Sequence, residues 1–134
     1  MTEGKATRST SSSSLKAIRV LVVEDGWQVA DALKILLEQV GMIVAGPVAT
    51  PEEARRLVAE CSPELAVVDI NLRGEMAFEL MDWLHDRGTP VIVITGYRGL
   101  PERLKKYSAI LDKPFTAESL FMALRRAKDR DRTP

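Results

Sequence analysis

Five short apolar runs, each followed by a segment of helical periodicity, constrain this chain more than any other feature. They are Ile18–Val23, Met42–Ala45, Leu65–Val68, Val91–Ile94 and Ala109–Leu111. No hairpin turn signal separates consecutive runs, so they read as strands of one parallel sheet joined by helical crossovers. Right-handed crossovers put helices on both faces, and with the first strand central the ends of the first and third strands become neighbours. A chain of 134 residues, 46% hydrophobic, has room for one such domain and not for a second.

The segments between the runs carry their own signals. Val29, Ala32, Leu33, Leu36, Leu37 and Val40 form an apolar helical stripe that Gly41 stops. Thr50-Pro51-Glu52-Glu53 is a helix start: threonine caps, proline suits the first turn, and Glu53 reaches back to the cap's backbone amide. That helix is expected to end near Cys61, ahead of Ser62-Pro63. Asn71–Gly74 reads as a loop, Ala77, Leu80, Met81 and Leu84 as a third helix, and Ala117, Leu120, Phe121 and Leu124 as the last. The fourth helix, within residues 96–107, has the weakest pattern, because Gly99 and Pro101 interrupt it. Residues 1–16, with four consecutive serines at 11–14, are expected to be a disordered Ser-rich tail, 17–128 the folded domain and 129–134 a charged C-terminal tail.

A single cysteine, Cys61, excludes an internal disulfide, and no apolar stretch approaches the roughly 20 residues of a membrane span. Without the apolar block of a secretory leader, a cytoplasmic protein with no membrane partner is the default. Net charge is zero overall, yet residues 18–124 hold −5 while both ends are basic. An acidic body gives no support to nucleic acid as a partner.

The functional signal lies in the residues that close the strands. Glu24-Asp25 closes the first run, Asp69 the third, Thr95 the fourth and Lys113 the fifth. In an open parallel sheet those ends share one edge, and ligands bind in the crevice outside it. Three carboxylates brought together repel one another, and a hard divalent cation such as Mg²⁺ relieves that repulsion with oxygen ligands. Lys113 and the Thr95 hydroxyl suit phosphoryl oxygens. Asp69 is the best placed of the acids to serve as a nucleophile forming an aspartyl-phosphate, because it follows a buried-type run and precedes a loop able to wrap a metal.

With these residues in view, the chain resembles the receiver domain of two-component response regulators. The resemblance covers residues 18–128 and rests on Glu24-Asp25, the stretch Val67-Val68-Asp69-Ile70-Asn71-Leu72-Arg73-Gly74, Thr95-Gly96 and Lys113-Pro114-Phe115, in the family's order and separations. It implies an α/β, doubly wound, flavodoxin-like fold, a five-stranded parallel sheet in the order 2-1-3-4-5. It also implies Asp69 as phosphoacceptor, Asp25 as direct Mg²⁺ ligand, Glu24 as a ligand through water, and Asn71 as a ligand through its backbone carbonyl. Thr95 and Lys113 would bind phosphoryl oxygens, and Lys113–Pro114 would be a cis peptide.

The implied partners are a sensor histidine kinase or histidine phosphotransfer protein and a downstream protein target, met through the fourth helix, fifth strand and fifth helix. The implied protein is no enzyme beyond catalysing its own phosphorylation and dephosphorylation. Because few residues follow the last helix, a single-domain regulator acting by contact or phosphorelay is expected.

One departure from the family stands out. The switch aromatic three residues before the lysine is Ile110 here, and Tyr97, two residues after Thr95, is the candidate substitute. Val93–Tyr97 partly resembles a stand-alone subgroup with a Thr-Gly-aromatic signature, although Val93 replaces its phenylalanine. Trp27 and Trp83 are expected to pack, Trp27 with the option of overhanging the pocket; His85 reads as a surface helix residue and Cys61 as an inert thiol.

Rival functions are weaker. An aspartate-based phosphatase needs a second aspartate two residues after the nucleophile, where Asn71 stands. A nucleotide-binding domain needs a glycine-rich turn where Glu24-Asp25-Gly26-Trp27 stands. The remaining alternative is a pseudo-receiver, a protein-binding module that keeps the fold without the phosphorylation.

Overall fold

A computed structural model describes residues 15–96 and 102–132. The elements in order are β1 (Arg19–Val23), α1 (Trp27–Gln39), β2 (Ile43–Val48), α2 (Pro51–Cys61), β3 (Leu65–Asp69), β4 (Asn71–Leu72), β5 (Glu75–Met76), α3 (Phe78–Asp86), β6 (Val91–Thr95), a 3₁₀ turn (Glu102–Lys106), β7 (Ala109–Asp112) and α4 (Ala117–Arg132). Five strands form one sheet in the order β2-β1-β3-β6-β7, all pairs parallel, while β4 and β5 form a separate antiparallel pair. With the small pair set aside, this is the expected 2-1-3-4-5 order of a flavodoxin-like sheet.

Strand alternation divides the core between the two faces of the sheet. Val20 and Val22 join Leu33 and Leu37 of α1 and Leu120 and Leu124 of α4 on one face. Leu21 and Val23 join Val58 of α2 and Leu80, Met81 and Leu84 of α3 on the other. Every residue of β3 and β6 is buried, as strands covered on both sides require. Edge strand β7 instead alternates: Ala109 and Leu111 are buried, Ile110 and Asp112 exposed.

The start of α2 follows its sequence closely. Thr50 Oγ1 accepts from the Glu53 amide at 3.2 Å, while Glu53 Oε1 accepts from the Ala49 amide at 3.3 Å, one residue earlier than the expected Thr50 amide. The Ala49 and Thr50 hydrogen bonds hold the Glu53 carboxyl below its ordinary range. At the other end Ser62 closes the helix in the left-handed region, with φ +48°.

Several expectations need correction. Leu15, assigned to the tail, is 1% exposed and packs into the core, so it belongs to the folded domain; the first 14 residues lie outside the described ones. At the other end α4 runs on to Arg132, which makes residues 129–132 helical rather than tail. Strand β2 extends to Val48 through Gly46-Pro47, and the register with β1 shifts by one residue between Leu21 and Val23. Only glycine fits the resulting bulge: Gly46 has φ +98°, and a Cβ there would meet Val48 N at 2.9 Å and Val22 O at 3.0 Å.

The loop expected at Asn71–Gly74 is folded into a hairpin, Asn71–Met76. In α1, Ala30 is the buried alanine and Ala32 is exposed. Trp27 does not pack; it is 74% exposed. Trp83 does pack, half-buried between Arg55 and Arg87, whose guanidinium carbons lie 5.4 and 4.8 Å from its ring centroid. His85 is an exposed helix residue and Cys61 is partly buried against the core. No described helix is long and apolar enough to cross a membrane.

Candidate functional site

The C-terminal edge of the sheet gathers the acidic residues as parallel topology requires. Glu24 and Asp25 follow β1, Asp69 ends the adjacent β3, and each of the three offers a carboxylate oxygen within 4.8 Å of the others. Asp69 and Glu24 are each 4% exposed, and Asp25 is half-buried. Lys113, just past β7, reaches across to place Nζ 2.7 Å from Asp69 Oδ2 and 3.4 Å from Glu24 Oε1. Its peptide bond to Pro114 is cis.

Backbone amides fix the carboxylates in place. The Asn71 amide donates to Asp69 Oδ1 at 2.9 Å, the Arg73 amide to Asp25 Oδ2 at 2.7 Å, and the Gly26 amide to Glu24 Oε2 at 2.9 Å. Asn71 Oδ1 accepts from the Gly74 amide at 2.8 Å, so one side chain closes the turn whose amides hold the site. Glu24 Oε1 is buried and makes no hydrogen bond; at 3.4 Å the Lys113 ammonium is a charge neighbour rather than a donor.

Electrostatics follow from this packing. Burial pushes the Glu24 carboxyl up to about 7; the Gly26 amide opposes the shift, the adjacent Asp69 adds to it, and the Lys113 charge opposes it. For Lys113 burial acts downward, but the Asp69 hydrogen bond and the Asp69 and Glu24 charges outweigh it and raise the ammonium above its ordinary value. Among the described residues the three acids share the cleft with two bases, Lys113 and Arg73, of which Lys113 contacts their carboxylates.

The cleft has a volume of about 530 Å³ and is lined by Glu24, Asp25, Gly26, Val29, Asp69, Asn71, Arg73, Gly74, Gly96 and Lys113. Gly96 leaves open space, since a Cβ there would meet nothing within 4 Å. Thr95 is fully buried at the end of β6 and does not line the cleft; its carbonyl accepts from the Lys113 amide at 2.7 Å. Tyr97 and the segment up to Pro101 lie outside the described residues. Trp27 stands on the first turn of α1 without lining the cleft.

Residues 20–125 match the response regulator receiver domain family. The chain belongs to that family. Receiver domains are signalling domains of two-component systems that generally bind Mg²⁺ at an acidic pocket and interact with kinases, phosphotransfer proteins and downstream targets.

Solved structures agree. The signal receiver domain of a modulated diguanylate cyclase from Desulfovibrio desulfuricans G20 is 31% identical with a TM-score of 0.75, over 85% of this chain and 95% of that one. The receiver domain of the PhyR response regulator from Erythrobacter litoralis is 26% identical with a TM-score of 0.79, over 90% and 97%. A mutant of the anti-anti-sigma factor PhyR from Bartonella quintana shares the fold at 23% identity and a TM-score of 0.79; 96% of this chain aligns with 55% of that protein. No match to a curated protein was found.

Two features of this receiver escaped the sequence. One is the hairpin that delivers the Arg73 amide to Asp25; Arg-Gly is not one of the dipeptides that mark such a turn. The other is Tyr107, 2% exposed, whose hydroxyl donates to Asp82 on α3, while Lys106 Nζ contacts the same carboxylate oxygen at 2.6 Å. Its ring stands edge-on to His85 at 6.0 Å.

Proposed function

We propose that this domain accepts a phosphoryl group on Asp69, in a Mg²⁺-dependent reaction, from a sensor histidine kinase or a histidine phosphotransfer protein. It then signals through a downstream protein, by contact or by passing the group on. The observation that carries the reading is the convergence of Glu24, Asp25 and Asp69 within 4.8 Å beside Lys113. A soluble domain has no structural use for such a cluster, since like charges this close cost stability unless neutralised.

The residues present fit a divalent cation. Glu24 Oε1 is a buried oxygen without a hydrogen bond, and the donor set is all oxygen, as Mg²⁺ requires. Asp25, Asp69 and the Asn71 carbonyl would hold the ion directly and Glu24 through water. The ion supplies charge neutralisation on the oxygens of the group being transferred.

The chain's own residues do the rest. The Asn71 amide engages Asp69 Oδ1 and orients the carboxylate. Lys113 holds a proton firmly, so it remains a cation able to follow the phosphoryl oxygens. The Thr95 hydroxyl would bind a further phosphoryl oxygen after moving from its buried position. Open space at Gly96 admits the donor.

Intact-mass measurement after incubation with acetyl phosphate and Mg²⁺ tests the reading. A gain of one phosphoryl group that Asp69→Asn abolishes is expected; no gain, or an equal gain in Asp69→Asn, supports the pseudo-receiver instead.

A further inference from the structure

The tip of the β4–β5 hairpin holds a residue that its turn does not favour. Arg73 and Gly74 have φ +54° and +84°, the pattern of a two-residue type I′ turn, whose first position suits asparagine or glycine. An arginine there keeps the crowding between Cβ and carbonyl that makes left-handed backbone unfavourable. Outliers of this kind concentrate at functional sites. The Arg73 amide is already engaged with Asp25 Oδ2, but any residue except proline supplies that amide. What arginine alone brings is its side chain, which is exposed, lines the cleft with Asp69 and Lys113, and makes no ion pair among the described residues.

A cation at that position matters because of the charge balance inside. Among the described residues, the one base in contact with the carboxylates of Glu24, Asp25 and Asp69 is Lys113, whose Nζ is bound to Asp69. A phosphodonor is anionic at its phosphoryl end; without a divalent ion the cleft has the same sign, and with one it is brought only near neutrality. Resting on the phosphoacceptor reading above, we propose that the Arg73 guanidinium is a further donor-binding group, held at the rim by the left-handed turn and the Asp25 hydrogen bond. There it draws in the donor's phosphoryl oxygens and turns the phosphorus toward Asp69. With acetyl phosphate, an Asp69 carboxylate oxygen bonds to phosphorus, the bond from phosphorus to the bridging oxygen breaks, and acetate leaves with the electron pair. No proton moves, and Arg73 forms and breaks no covalent bond.

The test compares wild type, Arg73→Asn and Arg73→Lys. Asparagine keeps the amide and suits the turn, so urea unfolding should find that variant at least as stable as wild type. Its initial rate of phosphorylation by acetyl phosphate with Mg²⁺ should fall on the order of tenfold at low ionic strength. The gap should close as salt shortens the screening length, and lysine should restore most of the rate. An Arg73→Asn rate equal to wild type overturns the proposal, as does a deficit that is the same at every ionic strength or unrelieved by lysine. Wild type that takes up no phosphoryl group overturns the phosphoacceptor reading itself; phosphorylated wild type with an equally fast asparagine variant overturns only the role of Arg73.

Discussion

Replacing Glu24 by glutamine isolates the electrostatic cost of the acidic cluster. Glutamine keeps the shape and an oxygen for the Gly26 amide, which lies 2.9 Å from the present carboxylate, and removes only the charge. The folded carboxyl titrates at about 7 against an ordinary value of 4.5, a figure that already includes the attraction of Lys113. Below 4.5 both folded and unfolded chains hold the proton. Between 4.5 and 7 only the folded chain holds it, so stability falls as pH rises across that window and the loss is complete above it.

At roughly 1.4 kcal/mol per pH unit the full loss is about 3 kcal/mol. In metal-free buffer with EDTA, Glu24→Gln should therefore match wild type near pH 4.5 and exceed it by up to about 3 kcal/mol at pH 8. In urea, with a slope of roughly 1–3 kcal/mol/M, that is a midpoint shift on the order of 1–3 M. Added Mg²⁺ should stabilise wild type more than the variant and narrow the gap. Equal stabilities at pH 8, or a gap that does not change between pH 4.5 and 8, would refute the reasoning.

Asp25→Asn should fold, because the Arg73 amide still finds an acceptor oxygen, but its melting temperature should no longer rise with Mg²⁺; an undiminished Mg²⁺ response would remove Asp25 from the ion's ligands. Tyr107→Phe leaves the ring in place and deletes the hydroxyl that donates to Asp82. It should cost about 1–2 kcal/mol in urea unfolding and speed amide exchange over residues 102–107, and unchanged exchange there would mean that the hydroxyl does not hold the segment down.

Much of the fold was legible because the signals were local and redundant. Strands β3 and β6 are buried on both faces, so their sequences are apolar without interruption, and α2 begins with a cap, a proline and a glutamate that all agree. The misreadings have physical causes. Pro47 made β2 look finished at Ala45, whereas the cis Gly46–Pro47 bond sits in a bulge that lets the strand continue to Val48. The Asn71–Met76 hairpin has two-residue arms, too short for alternation to show. Leu15 follows four serines, and no apolar periodicity beside it marks it as a core residue.

The site was legible to the extent that it depends on topology. Parallel strands put their C-terminal ends on one edge, so Glu24, Asp25, Asp69 and Lys113 were bound to meet, whereas side-chain direction past a strand end is set by packing that no periodicity encodes. Thr95 shows the difference: it ends β6 as expected, yet it is closed off from the cleft. Ile110, where the family carries its aromatic, lies on the outward phase of β7 and is 40% exposed. Among the described residues of this region the buried ring is that of Tyr107, ahead of the strand, with Leu104 fully buried one turn before it. Tyr107 and Lys106 both bind Asp82, which ties the 3₁₀ turn to α3 at the segment where the sequence showed its weakest helical pattern. Any displacement of Lys106 and Tyr107 from α3 would have to break both contacts to that one carboxylate.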